Sequence, residues 1–255
     1  MWALLPQGVY TLTSRNSFLS HYGGVAYGTI RLNEKLGKLE YRVFGGEGVD
    51  VAGDPAISLG NEGSGVNLPN GWSGTLYGGT LNWKTPLKGL TVGSSDLAYQ
   101  YWSSLATKGT VNGTQYSNPC QYYWNYAHYE KDKVMVAGEY TRQQYNGGNI
   151  FPATPLSTFN VDVRAWYAMA SYKLTGKLTV GAYDSQSFDH QQHLAPARYN
   201  KDWTVSGRYD VNQYVYLKAE QHFIDGTALG YDTNTNPNGL KPSSKLSILK
   251  LGVSF

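Results

Sequence analysis

Two histidines three positions apart, His190 and His193 in D-H-Q-Q-H, offer the plainest metal-ligand chemistry in this sequence. Imidazoles at that spacing can share an ion, but a structural zinc site takes about four ligands, and no third ligand is clearly placed. The single cysteine, Cys120, supplies neither a disulfide partner nor a redox pair. The stretch D-T-N-T-N-P-N-G at 232–239 begins like a calcium loop, with oxygen-bearing side chains at alternate positions. It then breaks the pattern, because Pro237 stands where the glycine belongs and Ser243 where the bidentate glutamate belongs. G-N-E-G-S-G at 60–65 fits neither glycine motif for phosphate binding, and no nucleophile elbow is present. The sequence therefore predicts no catalytic residue, no metal and no cofactor, and the chain is not read as an enzyme.

What remains is charge in a regular spatial pattern. Arg31, Glu40, Arg42, Lys84, Glu130, Glu139, Lys173, Arg208, Asp210, Lys218, Glu220 and Lys250 all fall, by period-two parity, on the faces of strands opposite the apolar residues. Such side chains suit the wall of a water-filled pore, where fixed charges bias which ions enter. Seven basic residues against five acidic ones predict a weak anion preference. The competing reading of each charge is a cross-strand pair that only braces the wall. Arg15, in T-L-T-S-R-N, is a candidate for an inward-folding constriction loop, against the alternative of a loop held by its own Ser and Asn hydrogen bonds.

The elements that must carry these residues are strands, read at 22–32, 39–48, 72–84, 89–102, 120–130, 134–142, 163–174, 178–187, 201–210, 214–224 and 244–255. Their connectors alternate in length. Short ones at 33–38, 85–88, 131–133, 175–177 and 211–213 interleave with long polar ones at 49–71, 103–119, 143–162, 188–200 and 225–243. Alternation of this kind gathers the short turns on one rim and the long loops on the other, as in outer-membrane barrels. Aromatic residues on the apolar faces, Tyr41, Trp83, Tyr129, Tyr172, Trp203 and Tyr209 beside the short turns and Tyr140 toward the other end, predict interfacial girdles.

Composition narrows the alternatives. In 255 residues, 22 tyrosines and 30 glycines with only 15% charged residues suit neither disorder nor a helical protein. The longest apolar run, 165–170, is far short of the roughly 18 residues a spanning helix needs. A net charge of +3 gives no reason to expect a nucleic-acid partner. The predicted fold is all-β: an antiparallel up-and-down transmembrane β-barrel, one domain over 1–255, with about eleven strands visible. Single-chain bacterial barrels have even strand numbers, and the start M-W-A-L-L-P-Q-G lacks the features of a secretory signal. The sequence is thus expected to be the carboxy-terminal portion of an amino-terminally truncated barrel.

The final strand places Leu249, Leu251, Val253 and Phe255 on one side, and Lys250, Gly252 and Ser254 on the other. An aromatic carboxy-terminus of this kind resembles the closing strand of Gram-negative outer-membrane barrels, whose terminal Phe is an assembly signal. That resemblance implies the barrel-assembly machinery as a partner. L-L-P-Q-G-V-Y-T-L-T-S-R-N at 4–16, G-G-V-A-Y-G at 23–28, K-D-W-T-V-S-G-R-Y-D-V at 201–211 and L-K-A-E-Q-H-F-I-D-G-T-A at 217–228 are similar to segments of porins in the phosphate-selective porin superfamily. The resemblance implies about sixteen strands in the whole barrel, location in the outer membrane, contact with its lipid, a homotrimer, and passage of small hydrophilic or anionic solutes. The pore residues behind phosphate selectivity have no matched positions here, so that property is not carried over. A surface receptor working through its long loops, or a carbohydrate-binding β-sheet protein, is the alternative function.

Overall fold

In the computed structural model, which describes residues 1–10, 21–50, 66–67, 72–107, 110–152, 155–229 and 240–253, the period-two segments form strands. They are β1 (His21–Asn33), β2 (Gly37–Asp50), β3 (Val66–Asn67), β4 (Trp72–Lys84), β5 (Leu90–Thr107), β6 (Thr110–Ser117) and β7 (Cys120–Lys131). These are followed by β8 (Val134–Ile150), β9 (Ser157–Lys173), β10 (Leu178–Asp189), β11 (Tyr199–Asp210), β12 (Val215–Gly226) and β13 (Ser243–Val253). All belong to one antiparallel sheet in the order β1-β2-β4-β5-β6-β8-β9-β10-β11-β12-β13, with β3 added to the end of β5 and β7 between β5 and β8. Because β6 and β7 both lie between β5 and β8, they are two halves of one wall strand. The break is at Asn118 and Pro119; a proline has no N–H for the ladder, and Asn118 donates its own to the Asn146 carbonyl at 2.8 Å. The path therefore has the eleven positions that the periodicity predicts.

Two of the expected long connectors are instead largely strand. Residues 103–119 continue β5 and supply β6, while most of 143–162 extends β8 and begins β9. Polar side chains occur on both faces there, interspersed with Leu105, Tyr116, Tyr145 and Phe159, so no clear apolar alternation is left. The ladder persists because its hydrogen bonds join backbone groups.

The short turns are fixed by side chains that replace backbone acceptors. Asn33 Oδ1 accepts the amides of Lys35 and Leu36 at 2.9 and 2.8 Å. Thr175 Oγ1 does the same for Lys177 and Leu178, and Asn212 Oδ1 for Tyr214 and Val215. Gly37 closes its turn at φ +75°, and a Cβ there would lie 2.1 Å from the Lys84 carbonyl oxygen. Only glycine takes up that conformation without strain.

The two faces of the sheet differ in kind. On the outer face, β8, β11 and β12 are apolar in the half beside the short turns and become charged toward the loops, whereas β5 carries Ser94 and Asp96 in its short-turn half. In β8, Val134, Val136 and Tyr140 are exposed before Arg142; in β11, Tyr209, Val205 and Trp203 are exposed before Lys201; in β12, Leu217 and Phe223 precede Asp225. The other face, called inner here, carries residues 1–10 and buries Glu139, Ser185, Asp202, Thr204, Ser206, Lys218, Glu220 and His222. It is not uniformly polar, as the sequence led us to expect. Across β4 to β8, Leu76, Leu97, Tyr99 and Cys120 pack with Phe44, Tyr101, Tyr122, Trp124 and Tyr145. Rings at neighbouring ladder positions cover one another there, with Tyr122 and Trp124 stacked at 5.1 Å and 10°. Among the described residues, β1 pairs only with β2 and β13 only with β12.

Candidate functional site

The inner face of β8 to β12 is the candidate site, and residues 2–10 lie across it. Tyr10 donates its hydroxyl to Glu139 on β8, which also accepts from Tyr167 on β9 at 3.2 Å. Burial first, and the hydrogen bond to Glu139 next, push the Tyr10 phenol above its ordinary pKa, so it remains a donor. Gly8 meets β10: its amide donates to Ser185 Oγ at 3.1 Å. A Cβ on Gly8 would lie 2.7 Å from that oxygen, so the close approach requires glycine. On β12, the Glu220 carboxylate accepts the amides of Ala3 and Leu4, the latter at 3.1 Å, and Lys218 Nζ donates to the Trp2 carbonyl at 2.9 Å. The Trp2 ring meets Tyr183 edge to face at 5.0 Å. Three charged residues and two hydroxyl-bearing ones thus fasten this segment to the wall.

Beneath the segment is a buried polar cluster. His222 Nδ1 stands 2.9 Å from Thr204 Oγ1 and 3.0 Å from Asp202 Oδ2. The Tyr183 hydroxyl reaches Asp202 at 3.2 Å. Ser206 donates to Glu220 at 3.1 Å. His222 Nε2 lies 3.5 Å from Glu220 Oε2, close enough for charge attraction but without hydrogen-bond alignment. Threonine, histidine and aspartate adjoin here without forming a proton relay, because hydroxyl and carboxylate share one ring nitrogen, whereas a relay needs one on each.

The ladder registers bring all twelve of the charged residues singled out by sequence to this inner parity, but their surroundings differ. Glu40 pairs with Lys38 at 2.6 Å. Arg208 pairs with Asp210 at 2.7 Å and stacks over Tyr216, with Cζ 4.5 Å from the ring centre. Lys84 donates to Thr91 at 3.1 Å, and Glu130 lies 3.8 Å from His128. Arg31, Arg42, Lys173 and Lys250 are exposed and make no ion pair among the described residues. Sequence reasoning missed Asp202, Tyr183 and the docked segment. Asp202 was legible as the next alternate residue before Thr204, whereas nothing periodic marks residues 2–10.

The aromatic residues Tyr41, Trp83, Tyr129, Tyr140, Tyr172, Trp203 and Tyr209 all fall on the outer face by register. Trp203 requires a correction. It lies in the half of β11 away from the 211–214 turn, paired with Phe223 at 5.6 Å, so it belongs with Tyr140 on the loop side. Arg15, Phe255 and the 232–239 stretch lie outside the described residues. His190 and His193 are exposed, and no group of three potential metal ligands converges among the described residues.

No family model and no curated protein matches the chain. Among solved structures, it is similar to the NanC porin at 10% identity, covering 91% of this chain and 99% of that one, with a TM-score of 0.38. It is also similar to OmpT, an outer membrane protein of Vibrio cholerae. A loop-deletion form of OmpT aligns at 12% identity over 91% of this chain and 76% of that one, TM-score 0.43. The in-vitro folded form aligns at 12% over 90% and 86%, TM-score 0.37. At these values the functional reading rests on the chain's own geometry.

Proposed function

We propose that this chain forms the wall of a bacterial outer-membrane porin, a water-filled channel for passive diffusion of small hydrophilic solutes with a weak preference for anions. The observation that carries the reading is inverted burial along single strands. In β11, Trp203 and Val205 are 49% and 38% exposed, while the intervening Thr204 and Ser206 are 0% and 6% exposed. A sheet in water gains free energy by the reverse arrangement. Lipid outside makes the exposure of Trp203 and Val205 favourable, while Thr204 and Ser206 are satisfied inside by His222 and Glu220. Strands β10, β11 and β12, at 12 residues each, exceed the roughly 9–11 residues that a tilted strand needs to cross hydrocarbon. Residues 2–10 supply the narrowing element, since they occupy the inner face rather than a rim.

Reconstitution of the full-length protein in planar bilayers tests the proposal. Stable ohmic steps with an anion-favouring reversal potential under a salt gradient are expected. Persistent absence of conductance from protein that has inserted would instead favour a non-channel surface receptor.

A further inference from the structure

One charged cluster faces outward rather than into the channel. Arg142 on β8 and Arg164 on β9 are directly opposed in the ladder, and both grip Asp162. Arg142 Nε and Nη2 reach its two carboxylate oxygens at 2.9 Å each, and Arg164 does so at 3.3 and 2.9 Å. Two guanidiniums against one carboxylate leave one net positive charge. Their Nη1 groups make no hydrogen bond among the described residues. The side chains remain 30% and 37% exposed, whereas Asp162 is 11% exposed.

The height of this cluster on the wall is informative. The next outward-facing ladder position toward the short turns pairs Tyr140 with Trp166, and Trp166 stacks at 5.3 Å and 15° on Phe188, which stands opposite Arg164. Below Tyr140 and Trp166 the outward-facing residues of β8 and β9 are Gly138, Val136 and Val134 and Ala168, Ala170 and Tyr172, so on these two strands charge first appears at the arginines, while neighbouring β10 carries Asp184 opposite Ala168. Aromatic rings mark the interface of a membrane protein, so the next position outward is level with lipid headgroups. The other charged groups facing the same way on nearby strands are Asp184 on β10, engaged by Gln186 at 2.8 Å, Lys201 on β11, over the Tyr199 ring at 5.1 Å, and exposed Asp96 on β5, level with Arg142 through Tyr123.

We propose that Arg142 and Arg164 form an outer-wall site for the phosphate of a lipid headgroup, with Asp162 as the positioning residue that holds the two forks side by side. Guanidinium suits this task because its planar donors match phosphate oxygens. The site rests on the lipid-facing reading of the outer wall.

The test uses full-length protein in mixed vesicles and measures how strongly phosphatidic acid is retained over phosphatidylcholine through delipidation. One net surface cation corresponds to about a fivefold preference. Arg142→Gln with Arg164→Gln should abolish that preference, Arg142→Lys with Arg164→Lys should keep part of it, and Asp162→Asn should increase it by freeing a second positive charge. If the cluster only braces β8 against β9, Asp162→Asn will lower thermal stability without raising retention, and the proposal falls. Displacement of the lipid by inorganic phosphate at equal concentration would likewise overturn it, identifying a free-phosphate site. Unchanged retention in the Gln pair would do the same while leaving the channel reading intact, whereas failure to insert into vesicles would overturn both.

Discussion

Glu220 joins the segment at residues 2–10 to the wall more directly than proximity alone would. Its carboxylate accepts two backbone amides from Ala3 and Leu4 and the Ser206 hydroxyl, and His222 lies against it. Replacing it by glutamine puts an amide donor where acceptor capacity is needed, so at least one N–H loses its partner. Hydrogen bonds to charged groups contribute about 1.5–3 kcal/mol, enough to shift a short segment that has no ladder of its own. Glu220→Gln should therefore release the segment, raise single-channel conductance and expose residues 1–10 to protease. Gly8→Val should act similarly, because its side chain would collide with Ser185 Oγ and the Gln186 backbone. Conductance and proteolysis unchanged in both variants would show that the segment neither depends on these contacts nor narrows the path.

At the level of the strand, β4 gives the sharpest test of which face meets lipid. Leu81 is exposed on the outer face and Thr80 lies next to it on the inner face, accepting a hydrogen bond from Ser95 at 3.0 Å. Arginine on a lipid-facing position costs about 2–4 kcal/mol near the bilayer midplane, while lumen positions tolerate it. Leu81 lies one outward-facing position inside Trp83, between the girdle and the midplane, so Leu81→Arg should destabilise the vesicle-inserted protein in urea unfolding by more than about 1 kcal/mol, and Thr80→Arg by less than that. A water-facing Leu81 would accept arginine without penalty, and that result would defeat the assignment. Both faces of β4 were readable in advance because Leu81, Trp83, Thr80 and Lys84 obey the alternation. The loop-side ends of β5, β8 and β9 were not, since Gln143, Gln144, Asn146 and Asn149 are polar whichever face they occupy. Periodicity reports burial contrast, and where both faces are wet no contrast remains to report. The docked residues Trp2 to Tyr10 escaped for a different reason, because their contacts are with side chains more than a hundred positions away.

For the molecule as a whole, the proposed channel's selectivity would depend on which inner charges remain uncompensated. Glu40 is paired with Lys38, Asp210 with Arg208, Glu139 accepts from two phenols, and Glu220 accepts two amides near Lys218. Arg31, Arg42, Lys173 and Lys250 have no such partner among the described residues, and only Glu130, near His128, opposes them from an exposed position. The excess is larger in effect than seven against five suggests, because paired charges largely cancel beyond their own separation. An anion bias from exposed charges must also be salt-sensitive, since the screening length falls from about 10 Å at 0.1 M to about 3 Å at 1 M. At a fixed concentration ratio, the anion-favouring reversal potential should shrink as total salt rises. Arg31→Glu combined with Arg42→Glu replaces two uncompensated cations by anions on adjacent strands, and should carry the reversal potential through zero to the cation side. A reversal potential insensitive to both salt and the double substitution would place selectivity in pore width, and the four cations would then have no part in it.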